Sequence, residues 1–340
     1  MAAVTVAAFA AQAGSFKTAD VASEAKWVVH LDVDKFLASR IGQLLTDPAA
    51  NPEMQKKLAD FQAIFGCDLL KSIQGITLYG VDADNENAVA VARSTAPQAT
   101  VEALIRQSAT YQGRQYNGRT IHYWTEERHG RPMAAAFQSP TVVVAGGSVD
   151  GVKAALDVLD GKRTNMSDGK GLKVPDITDS SFFTAFGERP AADVGIVPEA
   201  AVLQSCDWLA MTAGETAGNV ELSLKLGSAI AGNNAQIEQV VRGMLAFMTL
   251  AKERDPALAE VAAAFKVASD TTGVYVAFSL PADKVNQFLK DRKQAAPQPG
   301  GRHMGPGGHR GNQCAPACTN VNAGACGAAA AEDCCPGAAR

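Results

Sequence analysis

Residues 208–226 carry the reading that decides the fold: Trp208-Leu209-Ala210-Met211, a turn over Gly214 to Asn219, then Val220-Glu221-Leu222-Ser223-Leu224-Lys225-Leu226. Strict alternation of apolar and polar residues is the signature of a strand with one buried face. A helical stretch begins at Asn234. The same order occurs earlier. Ile76-Thr77-Leu78-Tyr79-Gly80 leads to a polar turn from Asp82 to Asn87, an alternating run from Ala88 to Ala92, and a helix from Thr100 to Gln107.

A second unit repeats in register with the first. Met133 to Phe137, a turn at Gln138-Ser139-Pro140, Thr141 to Ala145 and a helix from Val149 to Leu159 match a later series. That series is Phe265 to Ala268, a turn at Asp270 to Gly273, Val274 to Leu280 and a helix from Ala282 to Leu289. Leading strands are expected at Trp27 to Val33 and Asp193 to Val197. Hairpins followed by helices give an α+β class: two related halves, each an antiparallel sheet with helices packed on one face. The halves span residues 25–161 and 190–293, with a linker over 162–189.

Additions belong to the first half: an amphipathic helix over 52–65 and a hairpin over Tyr111 to Thr125. In the second half, a helix from Ile237 to Ala251 places Ile237, Val240, Val241, Met244, Leu245 and Met248 on its buried side.

Composition limits the function. The 340 residues are 47% apolar and 19% charged with net charge −4, which excludes a polybasic nucleic-acid binder. Alanine supplies 62 residues, so the large apolar side chains are fewer than the apolar fraction suggests. The core rests on small residues.

Residues 1–13 form an uncharged apolar run ending Ala11-Gln12-Ala13, which fits a clipped signal peptide and predicts export to the periplasm or beyond. The run is shorter than the roughly 20 residues a membrane-spanning helix needs, and no later segment qualifies. At the other end, residues 294–340 are rich in Gly, Pro, Ala and Cys, and after Leu289 their large apolar residues are Met304 and Val321. Such a segment cannot bury a core and reads as a disordered tail.

The tail concentrates reactive side chains: His303, His309, Cys314, Cys318, Cys326, Cys334 and Cys335. Thiolates and imidazoles suit Cu(I) or Zn(II), so metal handling is one reading. The spacing contains no C-x-x-C pair, and in an exported protein the same thiols form disulfides within the tail or to another molecule. Composition without a role is the third reading. Cys67 and Cys206 stand in the two halves, either as buried thiols or as a bridge.

Elsewhere the candidate motifs have plainer readings. Asp82-x-Asp84-x-Glu86 opens like a calcium loop, but Asn87 stands at the glycine position and Arg93 at the bidentate glutamate. Gly146-Gly147-Ser148-Val149-Asp150-Gly151 misses both the nucleophile-elbow and P-loop patterns, leaving Ser148 as a helix N-cap. Asp32 and Asp34 share one strand face, with Asp34 read as the cap of a helix near Phe36. His30, His122 and His129 are scattered, and His129-Gly130 reads as a turn. No catalytic residue and no cofactor site follow from spacing.

The duplicated hairpin–helix pattern, the export signal and the phrase Thr212-Ala213-Gly214-Glu215 opening a hairpin together resemble a loose group of exported bacterial proteins of unknown function. The resemblance covers residues 25–293 and implies a fold, with no residue roles. The leading functional expectation is a non-enzymatic exported protein acting through a binding or structural surface. A hydrolase drawing on Asp32, Asp34 and His122 is the other alternative beside metal handling.

Overall fold

Strands form at the alternating runs, and they join. A computed structural model of the chain describes residues 14–48, 68–82, 87–127, 130–169, 171–188, 206–230 and 232–295, with isolated positions between 55 and 63. In chain order these give β1 (Trp27–Asp32), α1 (Val33–Ala38), α2 (Arg40–Thr46), α3 (Leu69–Ser72), β2 (Ile73–Gly80), β3 (Val89–Ser94) and α4 (Gln98–Ile105). β4 (Gln112–Tyr116), β5 (Arg119–Thr125), β6 (Pro132–Ser139), β7 (Val142–Gly146) and α5 (Val149–Leu159) follow. The later elements are β8 (Ser181–Glu188), β9 (Trp208–Thr216), β10 (Asn219–Gly227) and α6 (Asn233–Leu250). The series ends with α7 (Pro256–Ala263), β11 (Phe265–Ser269), β12 (Val274–Pro281) and α8 (Ala282–Ala295).

All twelve strands among the described residues belong to one antiparallel sheet ordered β11-β12-β10-β9-β8-β1-β2-β3-β7-β6-β5-β4. The α+β class stands, but the expectation of one sheet per half is corrected: β1 pairs with β8, with Val28 opposite Phe186. Strand β8 also occupies part of the stretch read as a linker over 162–189. Its sequence, Ser181-Phe182-Phe183-Thr184-Ala185-Phe186, carries the aromatic and β-branched residues that suit a pleated surface. The expected leading strand at Asp193–Val197 lies outside the described residues, and β8 takes the place beside β9.

One cross-strand row explains where the core sits. Directly paired residues share a face. Following the pairs from one edge gives Ala268, Tyr275, Lys225, Ala210, Phe186, Val28, Tyr79, Val89, Gly146, Ala134 and Tyr123. From Phe186 to Ala134 this face is the main core; α5 packs over β3, β7 and β6 with Val152, Ala155 and Leu156, all nearly inaccessible, while Phe16 packs on Phe186 and Val21, Ala22 and Ala25 belong to the same cluster. Ser148 starts α5 as expected, its Oγ accepting the Gly151 amide at 3.0 Å.

Beyond Ala210 the same face turns polar. Core passes to the other side of the sheet, where Leu209, Leu224, Leu226, Val274 and Val276 pack against Ile237 and Val241 of α6. Helices therefore cover both faces, not one. Two smaller corrections go with this. The phrase Thr212-Ala213-Gly214-Glu215 lies inside β9, and the turn is at Ala217-Gly218. On α6 the expected buried stripe holds at Ile237, but Met244 is exposed, as are Phe247 and Leu250. Helical period reports which residues share a side, whereas burial needs a partner on that side.

The helix expected over 52–65 lies largely outside the described residues. So do the signal-like run 1–13, the tail 296–340 with its His and Cys candidates, Cys67, His129 and the acidic turn 83–86. Among the described residues no helix is long and apolar enough to cross a membrane.

Candidate functional site

The titratable residues singled out from sequence do not converge. His30 and Asp32 lie on the core face of β1, while His122 of β5 lies on the opposite face, since it pairs with Ala135 next to the core-facing Ala134. Four strands separate β1 from β5, a distance of about 24 Å at ordinary strand spacing. Asp34 is not on that strand at all but in the first turn of α1.

Each has a local task. Asp32, not Asp34, caps α1: its Oδ1 accepts the Lys35 amide at 3.0 Å, and Ser15 donates to its Oδ2 at 3.3 Å. Burial raises the Asp34 carboxyl, with the Asp32 charge adding to it. His30 Nδ1 lies 2.9 Å from Thr77 Oγ1, and its ring packs against Phe16. Burial lowers its pKa to about 4 against the opposing pull of Asp32. His122 is 1% exposed, with Nδ1 3.1 Å from the Tyr111 hydroxyl and Nε2 3.7 Å from Glu102 of α4. Its pKa is also held down by burial. Cys206 is buried beside Leu226 and Ile237, and burial pushes its thiol up. Asp34 is exposed, whereas His30, Asp32, His122 and Cys206 are buried. Among the described residues no group of three metal-ligating side chains occurs.

The open feature is the polar face of β9, β10, β12 and β11. Residues alternate on β10 so that Leu222, Leu224 and Leu226 face α6, which leaves Glu221, Ser223 and Lys225 on the other side. Tyr275, Ala277 and Ser279 of β12 continue that face. No described helix packs on it; the segment 171–180, without regular structure, crosses it instead.

This strap is fixed at both ends and in the middle. Leu172 packs on the main core, and Gly171 sits so close to the Ser23 carbonyl that a Cβ would be 2.2 Å from it. The positive φ of 101° at Gly171 equally demands glycine. At the far end the Ser181 amide donates to the Thr178 carbonyl at 3.0 Å. In the middle Lys225 Nζ meets Asp176 Oδ2 at 2.8 Å, which draws the Asp176 carboxyl below its ordinary range.

Strap and sheet enclose two adjoining depressions of about 900 and 720 Å³. Trp208, Tyr275, Phe186 and Leu172 line the first, and Thr212, Ser223, Ser279, Glu221 and Lys266 line the second. Asp176 and Lys225 belong to both, so the ion pair stands where the two meet. Lys225 Nζ also lies 5.9 Å from the centre of the Tyr275 ring. The site offers apolar ring surface and hydroxyls around the Lys225 cation at its midpoint, with Lys266 a second cation in the second depression. Spacing arguments missed these residues because none forms a motif. The available signal was the polar side of the alternating run 220–226.

No protein-family model and no curated protein matches the chain. Among solved structures, crystal form III of TP0453 aligns at 10% identity with a TM-score of 0.46, covering 82% of this chain and 99% of that one. Crystal form I of TP0453 aligns at 10% identity with a TM-score of 0.44, covering 82% and 98%. These comparisons assign no characterised family.

Proposed function

We propose that the chain is a non-enzymatic, exported binding protein whose ligand lies in the groove between the strap 171–180 and the polar face of β9–β12. The carrying observation is the change of covered face along one row: Val28 and Tyr79 are buried in the main core, while Lys225 and Tyr275 line an open groove. A sheet that moves its core to the other side leaves a rigid, pleated, polar floor. Burial of His30 and His122 away from that floor supports binding over chemistry. The apolar run ending Ala11-Gln12-Ala13 supports export.

We also read the two halves as a duplication. The order β1-β2-β3-β7-β6 and the order β8-β9-β10-β12-β11 both run leading strand, hairpin, then a second hairpin entered from its last strand. If the halves share an origin, the groove belongs to the copy whose last helix, α8, packs through Ala282 and Val285 with Ala213 and Val220 on the opposite face.

The test is a titration of isotope-labelled protein with a panel of small sugars, amino acids and nucleotides, followed by amide shifts. Bound members should move amides of β10, β12 and the strap. Shifts confined to α4 or α6 would reject the groove.

A further inference from the structure

Resting on the groove reading, we propose that the ligand is a small hydroxylated carboxylate, of the sugar-acid class, whose carboxylate takes the place of Asp176 on Lys225. The two partners of that ion pair are unequal. The Lys225 side chain is 29% exposed, set in the sheet floor beside the Tyr275 ring, whereas the Asp176 side chain is 93% exposed on the strap. The cation is therefore built in and the anion lies on top of it. An ion pair this exposed contributes little, about 0–1 kcal/mol, so a better-placed carboxylate displaces Asp176 at small cost. A lysine offers a compact cation with rotatable donors, which a single carboxylate satisfies.

The surroundings restrict what accompanies that carboxylate. Thr212, Ser223 and Ser279 present hydroxyls along the second depression. A hydroxyl both donates and accepts, which matches a polyol. In the same depression Glu221 offsets the charge of Lys266, so a second carboxylate finds no excess of positive charge there. On the other side of Lys225, Trp208 and Tyr275 supply apolar ring surface. One carboxylate, several hydroxyls and an apolar ring face describe a uronate. A polyanion and a plain fatty acid each meet an opposing feature.

Calorimetric titration with D-glucuronate, methyl β-D-glucuronide and D-glucose tests this on the full chain, its Lys225→Met variant and its Asp176→Asn variant. Glucuronate should bind at least about 10-fold tighter than glucose, Lys225→Met should remove that difference, and Asp176→Asn should tighten binding about 3-fold by removing the internal competitor. Thermal melts of both variants establish that they fold. Binding of the glycoside as tightly as the free acid assigns chain-linked uronates; loss of it assigns the free acid, and both support the proposal. Equal binding of glucose and glucuronate, unmoved by Lys225→Met, overturns the carboxylate while leaving the groove reading intact. Heat in neither titration overturns the sugar-acid class. Glucuronate binding that shifts amides outside the strap and β10 overturns both readings.

Discussion

Glu215 of β9 caps the helix that begins beside Ile41: its Oε2 accepts the Ile41 amide at 2.8 Å, and its Oε1 accepts the Arg40 amide at 2.9 Å. The first amides of a helix have no partner inside it, and an anion there also meets the positive end of the helix dipole. Here the anion comes from a strand 174 residues away along the chain. It ties α2 to the sheet next to Ile41, Phe182 and Ala282, which form a small core of their own. Glu215→Ala should lower unfolding free energy by about 1–3 kcal/mol, and Glu215→Gln by less, because one amide keeps its acceptor. Urea denaturation measures both. An alanine variant as stable as the parent would show that the small core holds α2 without its cap.

The turn that follows contains a strained alanine. β9 passes into β10 through Ala217 at φ 51° and Gly218 at φ 78°. The β4–β5 hairpin uses the same geometry with Asn117 at φ 49° and Gly118 at φ 77°. Asn and Gly tolerate the left-handed region, and alanine does not. Ala217→Asn should therefore raise stability by about 0.5–1 kcal/mol, and Asn117→Ala should lower it by a similar amount. A calorimetric melt that moves in the wrong direction for either variant rejects the argument.

That alanine also shows what was legible in the sequence. Asn117-Gly118 announces its hairpin, and β4 and β5 form within the stretch 111–125 that the sequence marks as one. Ala217-Gly218 carries half the signal, so the sequence brackets its turn broadly, over Gly214 to Asn219, and assigns the last residues of β9 to it. Period-two patterning marks β2, β3 and β10, and short apolar runs between turn signals mark β6, β7 and β12. Neither signal says which face is covered. Lys225 and Tyr79 stand in one row, yet one lines a groove and the other is core, and that outcome depends on which other parts of the chain pack above them. The groove escaped notice for the same reason: Asp176 and Lys225 are 49 residues apart and meet only through the fold.

Gly227 tests the packing at the groove's closed end. A Cβ placed there would lie 2.2 Å from the Trp208 ring, so the indole rests directly on the glycine. Gly227→Ala should cost about 1–3 kcal/mol, since the ring must leave its place or the strands must part. Tryptophan fluorescence should shift as Trp208 gains solvent. An unaltered spectrum and an unaltered denaturation midpoint would mean the ring does not pack on Gly227 in solution.

His30 gives the fold a dependence on pH whose sign follows from its burial. Its pKa in the folded chain is about 4, below the ordinary 6.5, because the charged ring is poorly solvated beside Phe16. Between those two values the unfolded chain binds a proton that the folded chain does not. Stability is therefore fully present above about pH 6.5 and falls as the pH drops toward 4. The interval corresponds to a loss of about 3 kcal/mol at its acid end. His122, held down by burial in the same way, adds to the slope. The variant His30→Gln keeps a polar partner for Thr77 and cannot titrate. Urea midpoints of parent and variant at about pH 7 and about pH 5 separate this term from the carboxylates common to both. The parent should lose more stability than the variant over that interval. Equal losses would mean that His30 takes up its proton in the folded chain as readily as in water, and that the ring is not enclosed between Thr77 and Phe16.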